Sequence, residues 1–159
     1  MRTQLLRIWS WLPLPEWMRW VIMWALTPKF MVGSVAVIFD EAGQVLLFRH
    51  TYRRAYAWGL PGGWMKPGED AAATIEREVA EEGGLTVRAL SPLSVGGNKR
   101  LRRVDIVLLC EYVSGEFRPS AEVAEARYFP IAALPGLIEP EHCVVVTQAA
   151  RARERSRGG

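Results

Sequence analysis

Residues 63–85 read GWMKPGEDAAATIEREVAEEGGL, and this stretch decides how the rest of the chain is understood. It opens in a loop, because Leu60–Gly68 contains Pro61, Gly62, Gly63, Pro67 and Gly68. Glu69 and Asp70 then stand where a helix would start. Acidic side chains suit that place, since the first helical N–H groups are unpaired and the dipole is positive there. Ala71, Ala72 and Ala73 are strong helix formers. Gly83 and Gly84 end the run, because glycine accepts the left-handed turn of a C-cap. The spacing predicts loop, helix, loop, with the helix over 70–82.

That helix has two faces. At about 100° per residue, Ala72, Ile75 and Val79 fall on one stripe. Glu78, Glu81 and Glu82 stand at i, i+3 and i+4 and share another. Like charges so placed repel by roughly a few tenths of a kcal/mol per pair. Arg77 offsets only part of this, and no Lys interleaves the three. Hard divalent cations are held by clustered carboxylate oxygens, and Mg²⁺ takes a few of these together with substrate phosphates. Periodicity alone leaves two readings open, a metal platform and a solvated acidic face.

The stretch resembles the Nudix box, G-x5-E-x7-R-E-U-x-E-E-x-G-U, where U is a bulky aliphatic residue. Gly63 is followed by five residues and Glu69, and seven more lead to Arg77-Glu78-Val79-Ala80-Glu81-Glu82-Gly83-Gly84-Leu85. Every defined position is filled across 23 residues, about a seventh of the chain, which is far more specific than a lone glycine motif. Trp58–Gly63 (WGLPGG) is similar to the family's lead-in, and Glu122–Phe129 (EVAEARYF) to a later family segment.

The resemblance implies an α/β fold, an α/β/α sandwich around a mixed sheet, for residues 30–159. It implies Mg²⁺-dependent hydrolysis, with Mn²⁺ as a substitute, of the pyrophosphate linkage in a nucleoside diphosphate joined to another group. Nucleotide sugars, dinucleotides and nucleoside triphosphates all fit that description. It also assigns roles residue by residue. Glu78, Glu81 and Glu82 become metal ligands together with the carbonyl of Gly62. Glu81, Glu82 and Glu122 become catalytic, Glu122 being preferred over Glu125 as the group supplied by a later loop. Gly63, Glu69 and Arg77 become a brace, in which Arg77 pairs with Glu69 across the turn. The alternative is a catalytically silent nucleotide-binding or interaction module on the same fold; the intact box argues against it. Subclass signatures are missing. Leu101 stands where members that cleave ADP-ribose often carry proline, and neither the NADH-type nor the CoA-type signature is recognisable.

Bulk properties set wider bounds. At 159 residues, half of them hydrophobic, the chain fits one globular domain with a sizeable core. A net charge of +3 gives no reason to expect DNA. The basic residues are mostly Arg, which suits bidentate phosphate recognition. The candidate phosphate clamps are Arg49, Arg53, Arg54, Arg102 and Arg103, with Lys99 and Arg100 beside them; two or three of these are expected to touch substrate. Tyr52 and Tyr56 are a thin set of stacking platforms for an RNA reading. Cys110 and Cys143 have no metal-ligand spacing, so free thiols in a reducing cytoplasm are expected.

Residues 1–29 form a separate N-terminal extension in this reading. Five of the seven Trp lie there: Trp9, Trp11, Trp17, Trp20 and Trp24. One short helix is expected to begin at Leu5 and end by Pro13. A second is expected to follow Pro15 and stop at Leu26, ahead of Pro28. Charged residues interrupt the segment, so it is not expected to span a membrane, and no cleavage site marks a signal peptide. Trp17, Trp20, Val21 and Trp24 form a helical stripe. Its expected partner is the domain itself or a second subunit, giving a homodimer; docking at a membrane surface is the lesser reading.

Further on, 32–39 and 44–49 are expected to form a β-hairpin around a turn at 40–43. Strands are also expected at 86–93 and 104–113, with a turn at 96–98. A loop at 119–126, a last strand beginning at Tyr128 and a C-terminal helix over 141–153 complete the reading.

Overall fold

The computed structural model describes residues 14–98 and 101–157. Within them the order is α1 (Glu16–Leu26), β1 (Met31–Ile38), β2 (Val45–His50), β3 (Trp58–Gly59), β4 (Gly62–Trp64), α2 (Ala71–Gly83), β5 (Leu85–Asn98), β6 (Arg103–Gly115), β7 (Val123–Phe129), a 3-10 turn (Ile131–Ala133) and α3 (Pro140–Arg157). Lys99, Arg100, Trp9, Trp11 and the first expected helix lie outside the described residues.

The strands form two sheets. One has the order β4-β1-β6-β5 and the other β3-β2-β7. β1 and β6 run parallel over eight paired residues, while the remaining pairs are antiparallel, so the larger sheet is mixed. Alternate residues point to opposite faces, and in the central strands both faces are apolar. Ala36, Ile38, Leu46, Phe48, Leu108 and Cys110 pack with Ile75 and Val79 of α2. Their neighbours Val37, Val45, Leu47 and Val107 pack with Val146 and Ala149 of α3. The α/β/α sandwich follows from this double burial.

Four local expectations change. The 32–39 and 44–49 segments do not form a continuous hairpin; they contact through the turn and a single bridge, Phe39↔Val45. β1 already has β4 on one side and β6 on the other, so β2 joins the second sheet. β5 runs on through 96–98, where a turn was expected. Register shifts at three places let it follow β6 despite Pro92. β7 ends at Phe129 rather than beginning at Tyr128, because Val123–Phe129 pairs along β2. The stripe of α1 does not pack on the domain: Trp17, Trp20 and Trp24 are 66–75% exposed, and no residue of α1 is buried. Among the described residues no helix is long and apolar enough to cross a membrane.

Candidate active site

The loop and α2 are joined by a network of hydrogen bonds. Asp70 is the N-cap, its Oδ1 accepting from the Ala73 N–H at 2.8 Å. The Lys66 N–H and the Thr74 hydroxyl both donate to Glu69 Oε2, at 3.0 and 3.1 Å. Arg77 joins everything. Its Nε and Nη2 grip Glu69 at 2.7 and 2.9 Å, and Nη2 also reaches the Trp64 carbonyl at 3.2 Å. Nη1 donates to Glu78 at 2.7 Å and to Glu81 at 3.1 Å. The Arg77 hydrogen bond holds the Glu69 carboxyl down to about 2. At the far end Gly84 takes φ 70° as C-cap, a left-handed conformation that glycine adopts without strain.

The three helix carboxylates differ in surroundings. Glu81 is 55% exposed at its side chain and also meets the Lys66 ammonium at 3.6 Å. Glu78 is largely covered and lies against Gly63, where an added Cβ would overlap its carboxylate. Glu82 is only 7% exposed, and its Oε2 is buried without a hydrogen-bond partner. Burial pushes the Glu82 carboxyl up to about 7, the charges of Glu78 and Glu122 add to the rise, and the Gly62 N–H and Arg53 oppose it.

Gly62 stands opposite Val35 on β1. The flanking bonds Ala36 N–H→Pro61 O and Met65 N–H→Val32 O mark the alternate positions as the hydrogen-bonded pairs. Gly62 is therefore in a non-hydrogen-bonded pair, with its N–H and C=O turned outward from β1 at the sheet edge. The N–H lies on the side where it favours the charged form of Glu82, and the carbonyl leaves on the same edge of the strand.

Glu122 comes from the turn before β7. The Thr51 N–H donates to its carbonyl at 2.9 Å, which pins the 51–57 loop beside that turn. Arg53, Glu78, Glu81, Glu82, Glu122 and Arg103 then line one cleft of about 330 Å³. Of the expected clamps, Arg53 and Arg103 are in it. Arg49 instead pairs with Glu125 at 3.1 Å, and neither Arg49, Arg54 nor Arg102 lines the cleft. Glu125 is further held by Arg127, which leaves Glu122 as the later-loop carboxylate at the site.

The lining residues missed by the sequence reading include Trp64, Asp105, Glu139 and His142. Asp105 carried a signal, a carboxylate inside an apolar strand two residues after an Arg. Glu139 and His142 carried none, because only folding of the C-terminal segment brings them to the box. Arg53 Nη1 binds Glu139 at 2.9 Å, and the Leu60 N–H donates to His142 Nδ1 at 3.0 Å. His50 is buried beneath them with both ring nitrogens unpaired, and burial pushes it down to about 4.

The donor set suits a hard divalent cation in its chemistry. An unpartnered buried carboxylate oxygen on Glu82, with Glu78 and Glu122 near enough to raise its pKa, is negative charge that Arg53 only partly offsets. The side chains are not gathered around one point, since Glu78 and Glu81 are turned to Arg77, and among the described residues no three acidic, His or Cys side chains form a metal cluster.

Comparison with known proteins finds relatives in sequence and in fold. The 8-oxo-dGDP phosphatase NUDT18 of Homo sapiens is 32% identical over 129 residues, 77% of this chain and 40% of that protein. An ADP-ribose pyrophosphatase of Methanocaldococcus jannaschii is 28% identical over 117 residues, 68% of each chain. The crystal structure of an ADP-ribose pyrophosphatase from Streptococcus suis superimposes with a TM-score of 0.64 at 28% identity, covering 77% of this chain and 93% of that one. The chain spans less than half the length of the mammalian NUDT18 relatives it matches. A family profile described as NUDIX domain matches residues 29–148, from just before β1 into α3, and the chain belongs to the NUDIX domain family.

Proposed function

We propose that this chain is a hydrolase of phosphoric anhydrides, acting on a nucleoside diphosphate linked to a further group. The observation that carries the reading is the buried, unpartnered Glu82 carboxylate in a cleft shared with Glu78, Glu122, Arg53 and Arg103. Glu78 and Glu82 are the residues that would hold Mg²⁺ or Mn²⁺, with Glu81 and the Gly62 carbonyl beside them. Such an ion, when bound, neutralises phosphate oxygens and lowers the pKa of a bound water. Arg53 and Arg103 steady the phosphate that leaves, through charge-assisted hydrogen bonds. Glu122 accepts the proton of the attacking water at its carboxylate. Gly63, Glu69 and Arg77 hold the loop to the helix. The named substrates of the relatives, 8-oxo-dGDP and ADP-ribose, share the anhydride and differ in the rest, which supports the class.

Release of phosphate, AMP or CMP from a panel of nucleoside diphosphate derivatives and nucleoside triphosphates tests this, with Mg²⁺, Mn²⁺ and EDTA in parallel. Metal-dependent hydrolysis is expected. Absence of turnover on every compound, with nucleotide still bound, would make the chain a binding module.

The exposed face of α1 supports a second contact. Trp17, Trp20 and Trp24 together with Leu26 and Phe30 form an apolar surface suited to a second copy of the chain. Sedimentation of the full chain is expected to give a dimer that Trp20→Glu dissociates. Flotation with liposomes separates out the membrane reading. The free thiols Cys110 and Cys143 suit a reducing, cytoplasmic setting.

A further inference from the structure

The larger sheet arranges its residues in rows. One row reads Trp64, Gly33, Asp105, Gly96 across β4, β1, β6 and β5. The next row on the same face reads Gly62, Val35, Val107, Ser94. Val107 is buried in the cluster that includes Val146 and Ala149 of α3, and Val35 packs against it, so both rows face that helix. Three of these eight positions are glycine. The result is a tray, bare of side chains at Gly96 and Gly97 and otherwise floored by Val35, Val107 and Ser94, forming a cleft of about 370 Å³ walled by Asn98, Glu141, His142 and Val145. Val35, Arg103, Asp105 and His142 line this cleft and the carboxylate cleft alike, so the two are continuous.

A floor of bare backbone and short side chains suits a planar group, which keeps van der Waals contact over its whole area. Trp64 stands at one end of the row, 47% exposed, and lines the carboxylate cleft into which the tray opens. Its ring Cζ3 lies 3.5 Å from the point where a Cβ on Gly33 would stand, and Asp105 Oδ1 lies 2.9 Å from the same point. The carboxylate is oriented by Arg103, whose Nε donates to Oδ2 at 2.6 Å, which leaves Oδ1 facing the floor as an acceptor. An indole beside a fixed carboxylate oxygen recognises a flat ring with N–H donors on its edge.

We infer that the non-reacting end of the substrate is a nucleoside whose base carries an exocyclic amino group, seated in this tray against Trp64 with the amino edge at Asp105. The inference rests on the anhydride-hydrolase reading and names the part of the substrate that the reading leaves open. Uracil, whose ring N–H is flanked by two carbonyls, places acceptors against the carboxylate and is selected against.

The test is calorimetric binding of GMP, AMP, CMP, UMP and ribose 5-phosphate in EDTA, to the wild-type chain and to Trp64→Ala, Gly96→Val and Asp105→Asn. A Cβ at Gly96 meets nothing within 4 Å, and its φ is not positive, so the valine fills the tray without disturbing the packing. Trp64→Ala and Gly96→Val are each expected to weaken GMP, AMP and CMP by about tenfold and to leave ribose 5-phosphate unchanged. Asp105→Asn is expected to narrow the gap between these three and UMP. Unchanged GMP, AMP and CMP binding in both tray variants with unaltered thermal midpoints overturns the inference, as does UMP bound as tightly as the other three by wild type. Binding is read without metal or turnover, so its failure leaves hydrolysis standing. Absence of hydrolysis would equally leave the base preference measured.

Discussion

Gly63 and the Glu78 carboxylate are in such close contact that no side chain fits between them, because a Cβ on Gly63 would overlap the carboxyl carbon and both oxygens. The contact joins β4 to α2 at the point where the box begins. Gly63→Ala is therefore expected to displace Glu78 from Arg77. Hydrolysis should fall by about a hundredfold while the fold survives, because the atoms that must move are the end of one side chain. Turnover assays beside circular dichroism check this; full activity would mean that Glu78 need not be where it is.

Glu82→Gln should separate chemistry from stability. An amide of the same shape cannot hold a divalent cation as a carboxylate does, and turnover is expected to drop roughly a thousandfold. In EDTA at pH 8 the variant should be at least as resistant to urea as wild type, because it removes a buried charge. Retained activity would remove Glu82 from the reaction.

Arg77 uses its guanidinium on Glu69, Glu78, Glu81 and the Trp64 carbonyl. Arg77→Ala is expected to lower the thermal midpoint by about 5 °C. Arg88→Ala, which breaks an exposed pair with Glu111, should change it little. Equal effects would show that the brace is no stronger than a surface ion pair.

The two histidines predict a loss of stability in acid. His50 is pushed from 6.5 to about 4 by burial, with Arg53 and His142 adding to the effect. His142 is also pushed down, chiefly by burial, with Arg53 and Arg103 helping and Glu139 and Asp105 opposing. The unfolded chain takes up these protons first, so stability is full above pH 6.5 and falls as pH drops from there towards 4, by about 1.4 kcal/mol per unit for each histidine. Glu82 acts oppositely, losing stability as pH rises from 4.5 to about 7. Urea midpoints are therefore best measured in Glu82→Gln, where a decline from pH 7 to pH 5 is expected and a flat profile would contradict the burial of the histidines.

The helix carrying the box was legible because its signals are local. Asp70 caps it, Gly84 ends it in the left-handed conformation, and Ile75 and Val79 are buried as the stripe required. The split of β1 and β2 between two sheets was not legible, since a hairpin and two strands sharing one turn have the same sequence pattern. β5 was cut short for a similar reason: Gly96 and Gly97 read as a turn, yet pairing with β6 carries the strand through them. At the site, helical spacing placed Glu78, Glu81 and Glu82 together but could not rank them. Only the folded packing around α2 makes Glu82 the buried one.

The sequence by itself determined the family, the helix and the brace of Arg77 on Glu69, because all three depend on residues within one short stretch and on local hydrogen bonds such as the one from Arg77 to Glu69. Tertiary structure alone decided which arginines meet the carboxylates. Arg49, Arg53 and Arg54 are neighbours in the chain, but β2 turns Arg49 to Glu125, while the 51–57 loop carries Arg53 over the cleft to Glu139. The tray was equally beyond reach. Trp64, Gly33, Asp105 and Gly96 lie far apart in sequence and become one row only through the register of four strands, which hydrogen bonding between distant segments sets.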